Sequence, residues 1–129
     1  MPVVIDASAL VDLVVQSERA PAVLQAVGST DMVAPDVVNP EVLSILRRLE
    51  RTGALAPRRA VQAVDDLMDA PVRRFSTLPL LAEAWTLRAN VTAADACCVV
   101  LARILRCPLV TADRKLSRAP GLGVPLVMV

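Results

Sequence analysis

The sequence has no histidine among its 129 residues. That absence removes imidazole general bases, Ser-His-Asp and Cys-His nucleophile pairs, and imidazole-ligated metals. Hydrolytic chemistry here must rest on carboxylates, hydroxyls or a metal held by oxygen. Tyrosine is absent too, and Phe75 and Trp85 are the only aromatic side chains, so a single-strand-binding platform of stacked rings has almost nothing to be built from. The three cysteines, Cys97, Cys98 and Cys107, lie in apolar runs without CxxC spacing and read as small core residues of a reducing compartment. Met1 to Asp6 carries neither a basic start nor a long apolar run, and nowhere does an apolar stretch reach bilayer-spanning length. A soluble, cytoplasmic protein without membrane contact is expected. No glycine-rich phosphate loop exists, and Lys115 follows no GxxxxGK pattern, which excludes P-loop nucleotide hydrolysis.

What is present is aliphatic. Hydrophobic residues make up 55% and charged residues 21%, with ten Pro and four Gly, so a disordered or collagen-like chain is excluded. The length suits one domain, spanning residues 1–129, with one core and one site. The formal net charge of +1 gives no global nucleic-acid signature. Arginine supplies nearly all the cations, and local clusters occur at Arg47, Arg48, Arg51 and at Arg58, Arg59. Such clusters suit either an exposed, solvated helix face or contact with phosphates.

Short β-branched runs alternate with helical patterns, which predicts an α/β domain with a short, mostly parallel central sheet of about five strands flanked by helices. Val3 to Asp6, Met32 to Ala34, Val72 to Phe75, Pro108 to Thr111 and Leu126 to Met128 read as the strands. Helices are expected over Ser8–Val15 and Ala20–Val27. A third begins with Asn39 as cap and Pro40 at the first helical position and stops at Thr52-Gly53. Pro57 opens a fourth, with Ala60, Val61, Val64, Leu67 and Met68 as its apolar stripe and Asp65, Asp66 and Asp69 outward. Leu80–Asn90 and a very apolar Ala94–Leu105 complete the set. In the first of these Trp85 falls among Leu81, Ala84 and Leu87, which suits a core or dimer role better than base stacking.

In an open α/β sheet, ligands bind beyond the carboxyl ends of the strands. Asp6 ends the first strand, and Asp113 lies two residues after Thr111. Glu41 and Asp95 fall in the first turns of helices expected to begin on that same edge. Four carboxylates could therefore converge. Like charges within a few ångströms raise one another's pKa, and a divalent cation resolves the conflict. With no His and no thiolate geometry the ligands are oxygen only, which selects Mg²⁺ or Mn²⁺ over Zn²⁺ and suits phosphoryl chemistry. Ser8 and Thr111, each two positions from an acid, could orient the carboxylates. Each residue also has an ordinary reading. Asp6 or Ser8 can cap the following helix, Glu41 and Asp95 suit a helix dipole, and Asp113 can cap a turn through Arg114-Lys115-Leu116.

Four ordered blocks resemble the PIN domain, and within it the VapC-type ribonuclease toxins of bacterial toxin–antitoxin pairs. They are Val4-Ile5-Asp6-Ala7-Ser8-Ala9-Leu10; Ala34 to Val42 with its helix-borne Glu41; Ala94-Asp95-Ala96; and Pro108-Leu109-Val110-Thr111-Ala112-Asp113-Arg114-Lys115-Leu116. The resemblance covers nearly the whole chain. It implies a metal-dependent endoribonuclease in which Asp6, Glu41, Asp95 and Asp113 form the acidic set. Asp6, Asp95 and Asp113 would be ligands to Mg²⁺ or Mn²⁺, with Ser8 and Thr111 in support. It also implies water attack on an RNA phosphodiester, a homodimer, and a cognate VapB-type antitoxin whose C-terminal segment blocks the pocket. Where the family's third block often carries aromatic residues after its Asp, this chain has Cys97 and Cys98.

Arg47, Arg48 and Arg51, with Arg114, Lys115 and Arg118 near the last acid, are candidates for the RNA backbone, since an acidic site needs cations nearby to admit a polyanion. A haloacid-dehalogenase-like site would want an Asp where Ser8 stands, and a response-regulator receiver an acidic pair where Asp6 stands alone. Two alternatives remain at this stage: an RNA-processing nuclease without a toxin role, and a catalytically silent PIN-like binding or assembly module.

Overall fold

The runs Val3–Ile5, Met32–Pro35, Val72–Phe75, Leu109–Thr111 and Leu126–Met128 form strands β1 to β5 in a computed structural model that describes residues 1–129. All neighbouring pairs are parallel, in the order β3-β2-β1-β4-β5. Val4 and Ile5 register with Leu109 and Val110, which fixes β1 against β4. Parallel strands need crossover connections, so helices cover the sheet and its central strands become apolar throughout. Every residue of β1 and β4 is buried, whereas the edge strand β5 has none that is fully so.

Seven helices make the crossovers: α1 Ala7–Val15, α2 Ala20–Val27, α3 Val38–Arg51, α4 Pro57–Asp69, α5 Leu81–Thr86, α6 Ala93–Leu105 and α7 Arg114–Arg118. Helices α1, α3 and α4 pack on one another, while α5 packs on α6 and α6 lies against β1, β2 and β4. Ala96 through Ala102 are all buried, as a helix held between layers requires. The core is one contiguous cluster, and the three cysteines are free thiols inside it, raised in pKa by burial. No helix is long and apolar enough to cross a membrane.

Three local expectations are corrected. Asn39 does not cap α3, because the helix already starts at Val38. Its Oδ1 instead accepts a hydrogen bond from Arg74 Nε at 3.1 Å. The stripe on α4 is rotated: Ala60, Ala63 and Leu67 face the core, leaving Val61 and Met68 64% and 67% exposed. Two alanines let α4 approach its neighbours closely, and a reading by residue size misses so narrow a seam. The helix expected over Leu80–Asn90 is shorter, preceded by a 3-10 turn at Leu78–Leu80. It unwinds through the three-residue bonds Leu87 N–H to Ala84 O, Arg88 N–H to Trp85 O and Asn90 N–H to Leu87 O. Leu80, Ala84 and Leu87 are its buried stripe, and Trp85, on the outer face with Leu81, is not a core residue but is 67% exposed.

Arg74 ties the edge of the sheet to two helices. Besides Asn39, its guanidinium donates to the carbonyls of Leu67 at 2.7 Å, Val72 at 3.1 Å and Ala70 at 3.4 Å, reinforcing the passage from the end of α4 into β3. Arg74→Ala is expected to cost about 2–4 kcal/mol, since several charge-assisted bonds are lost together. Denaturant unfolding measures it; a change below about 0.5 kcal/mol would show that water replaces the guanidinium without loss.

Candidate acidic site at the strand ends

From β1 the chain proceeds outward through β2 and β3, then returns to the other side of β1 for β4 and β5. The connections leaving β1 and β4 therefore diverge, and a crevice opens beyond their carboxyl ends, the place where doubly wound sheets bind ligands. Asp6 and Ser8 leave β1 there, and Thr111 and Asp113 leave β4.

One hydrogen-bond network joins the two strand ends. Asp6 Oδ1 accepts from the Ala9 N–H at 3.0 Å, which caps α1, and from the Ser8 hydroxyl at 2.7 Å. Asp6 Oδ2 accepts from the Thr111 hydroxyl. Ser8 Oγ in turn accepts from the Ala112 N–H at 3.0 Å, and Thr111 Oγ1 from the Asp113 N–H at 2.9 Å. The capping roles weighed from the sequence are present: Asp6 caps α1 at the end of β1, and Asp113 caps α7 through the Lys115 N–H at 2.8 Å.

Helix starts supply the other two acids. Helix α3 follows β2, which puts Glu41 of its first turn on the carboxyl edge. Helix α6 runs down to β4 and so must begin on that edge; its first turn holds Asp95, whose N–H is capped by Thr92 Oγ1 at 3.3 Å.

The electrostatics link the four acids pairwise. Asp6, only 3% exposed, has a pKa pushed up to about 6, chiefly by burial, against the pull of its hydrogen bonds and with a further push from Asp95. Burial, then Asp95 and Asp6, raise Glu41 to about 7. Asp95 is raised by burial and by Asp113. The protein's two ion pairs, Arg19–Asp12 and Arg103–Glu83, involve none of the four. No three of the carboxylates stand together as ligands enclosing one ion would. The donor set nevertheless fits a hydrated hard cation, because Mg²⁺ keeps several waters and needs only one or two carboxylates directly. Four acids without a cationic partner are charge such an ion would balance.

Of the basic candidates, Lys115 lines the cleft that holds Asp95 and Asp113. Arg48 lines a groove that reaches Ser8 and Ala112. Arg47 and Arg51 sit with Arg48 in a separate depression, about 9–15 Å along the α3 axis from Glu41. Arg114 and Arg118 are exposed on α7 outside these walls. Arg88, Asn90 and Thr92 also line the cleft and were not among the residues singled out from the sequence. Their place depends on the early end of α5, which no spacing signals.

Thr111 joins Asp6 to Asp113, so Thr111→Val keeps the shape and removes both bonds. It is expected to cost about 1–3 kcal/mol and to raise the Asp6 pKa further. Unfolding and carboxyl NMR titration measure the two effects; an unmoved Asp6 would contradict the network.

A family model described as PIN domain matches residues 3–122. The chain is 42% identical to Ribonuclease VapC3 of Mycobacterium tuberculosis over 118 residues, covering 91% of this chain and 86% of that protein. Its fold is similar to that of Mycobacterium tuberculosis VapC20, a sarcin-ricin loop cleaving toxin. There the TM-score is 0.67 at 19% identity, over 89% of this chain and 92% of the other. It is similar as well to VapBC2 from Rickettsia felis, solved bound to a DNA fragment from the promoter. That match has a TM-score of 0.69 at 13% identity, over 99% and 98% of the two chains.

Proposed function

The chain belongs to the PIN-domain family, among its VapC ribonucleases, and on that premise we propose that it is a divalent-metal-dependent endoribonuclease, the toxin of a VapBC-type toxin–antitoxin pair. The observation that carries the chemistry is the acid quartet at the switch point of the sheet, buried or half-buried and without a basic partner. Asp6, Asp95 and Asp113 are the residues that would hold a hydrated Mg²⁺ or Mn²⁺, directly or through its waters. Such an ion, when bound, supplies charge neutralisation and Lewis-acid stabilisation at a phosphodiester.

The protein's own groups do the rest. Asp6 is fixed by three donors, so its carboxylate needs no reorganisation when substrate arrives. Ser8 and Thr111 hold it and, through the Ala112 and Asp113 amides, set the start of α7 and therefore the placement of Asp113. Glu41 makes no side-chain hydrogen bond, and with a pKa near 7 it is suited to take a proton from water attacking the phosphorus in line. Lys115 meets the RNA backbone at the cleft, and Arg114, Arg47, Arg48 and Arg51 extend that contact along the surface. The working form is a cytoplasmic homodimer, silenced by a VapB-type antitoxin whose C-terminal segment fills the acidic cleft.

Induction of the chain in a bacterial host tests this reading. Growth arrest with RNA cut at defined positions is expected, both lost in Asp113→Asn and relieved by the antitoxin. Unchanged growth with intact RNA at full expression would contradict it.

A further inference from the structure

The cleft beside Asp95 and Asp113 does not end at its basic rim. Arg88, Val91 and Thr92 form a wall shared with a hollow of about 540 Å³ between α5 and α6, bounded also by Leu81, Ala84, Trp85 and Cys97. The hollow is apolar, and its α6 side is lined by the small side chains of Ala93 and Cys97. Arg88 is held at the junction. Its guanidinium carbon lies 4.6 Å from the centre of the Trp85 ring, and its Nη1 donates to the Trp85 carbonyl at 2.9 Å. One cleft thus holds two carboxylates, Asp95 and Asp113, with two cations, Arg88 and Lys115, and Arg88 joins it to an apolar recess bordered by an exposed indole.

We propose that this recess takes one unpaired base of the RNA substrate, that of a nucleotide flanking the cut, while Arg88 and Lys115 hold the adjoining phosphate. The proposal rests on the ribonuclease reading and adds a specificity-determining subsite to it. A nucleotide is the ligand in which a flat, largely apolar ring sits one sugar away from an anion. An apolar hollow joined through Arg88 to a cleft of cations and acids matches that arrangement. Single-stranded RNA offers unstacked bases for such a pocket, and an indole face accepts any of them by stacking. Trp85 and Phe75 are the only aromatic side chains, and Phe75 lies on β3, so the chain provides one stacking position here rather than a platform.

Trp85 is the sole tryptophan and tyrosine is absent, so intrinsic emission reports on this hollow alone. Short single-stranded oligoribonucleotides of A, C, G or U, and an abasic oligomer of the same length, are titrated into the purified protein in Ca²⁺. Binding is followed by anisotropy of a label on the RNA, and stacking by tryptophan emission. Base-bearing oligomers are expected to bind and quench Trp85, and the abasic oligomer to bind without quenching. Cys97→Leu, which fills the recess, should weaken base-bearing oligomers roughly tenfold and leave the abasic one unchanged. Arg88→Ala should weaken both alike. Binding with unaltered tryptophan emission, or equal quenching by the abasic oligomer, overturns the subsite and leaves the ribonuclease reading standing. So does a Trp85→Ala variant that loses dimerisation or antitoxin affinity at unchanged RNA affinity. No binding by any oligomer overturns the ribonuclease reading and the subsite together.

Discussion

Asp6→Asn is expected to lower RNA cleavage by on the order of a hundred- to a thousandfold while the protein stays folded, the loss that several kcal/mol of electrostatic stabilisation represents. The substitution preserves size. The amide oxygen can still accept from Ala9 N–H and Ser8, and the amide nitrogen can donate to Thr111 once that hydroxyl rotates. What disappears is a negative charge buried to 3% exposure beside Asp95. Because burial raises Asp6 from 3.8 to about 6, its ionisation at neutral pH opposes folding by an amount on the order of 3 kcal/mol. The metal-free variant should therefore unfold at a higher temperature than the metal-free parent at pH 7.5, offset in part by weaker hydrogen bonds. An inactive variant that is also destabilised by several kcal/mol would mean that Asp6 acts as a cap alone; full activity would remove it from the chemistry.

The second large effect is the pH dependence of the metal-free protein. Asp6 rises to about 6, Glu41 to about 7, and Asp95 rises as well. In each case the folded state holds a proton that the unfolded chain releases. The stability this provides is fully present below the unfolded carboxylate range, near pH 4, and is lost as pH rises through the folded values of about 6 and 7. The thermal midpoint in EDTA should accordingly fall between about pH 5 and 8, the reverse of a protein whose carboxylates are salt-bridged. Glu41→Gln should flatten the upper part of that slope. Mn²⁺ or Mg²⁺ should restore the midpoint most at pH 8, above the folded values of Asp6 and Glu41, by the mass action of a ligand that binds only the folded state. Differential scanning calorimetry decides it. A midpoint that is flat or rising with pH in EDTA would contradict the uncompensated cluster.

Much of this arrangement was legible in the sequence because it is written in local signals. Strand ends are marked by Val-Val-Ile-Asp and Leu-Val-Thr, and in a parallel sheet both fall on one edge, so the sequence alone groups Asp6, Ser8, Thr111 and Asp113. Glu41 and Asp95 followed from helix starts, which topology sends to the same edge. The departures arise where tertiary contacts override spacing. Asn39 has the profile of a cap, yet Arg74, 35 residues away, takes its side chain. The core face of α4 is set by close approach at Ala60 and Ala63, which size-weighted patterning underrates against Val61 and Met68. Trp85 shares its heptad with Leu81, Ala84 and Leu87, but Leu80, Ala84 and Leu87 form the buried stripe, so Trp85 falls with Leu81 on the outer face of α5. The unwinding of α5 after Thr86 creates the cleft wall of Arg88, Asn90 and Thr92, a feature of chain path rather than of residue type.

The most direct test of the central claim, that these four carboxylates form one cation-dependent catalytic centre, is a Mn²⁺ titration of the metal-free protein. Bound ion is read by electron paramagnetic resonance and RNA cleavage is assayed on the same samples, beside Asp95→Asn. Cleavage should be absent in EDTA, rise in step with bound Mn²⁺, and fall away with it in the variant. Cleavage that persists in EDTA, or Mn²⁺ that binds Asp95→Asn as tightly as the parent, would contradict the account.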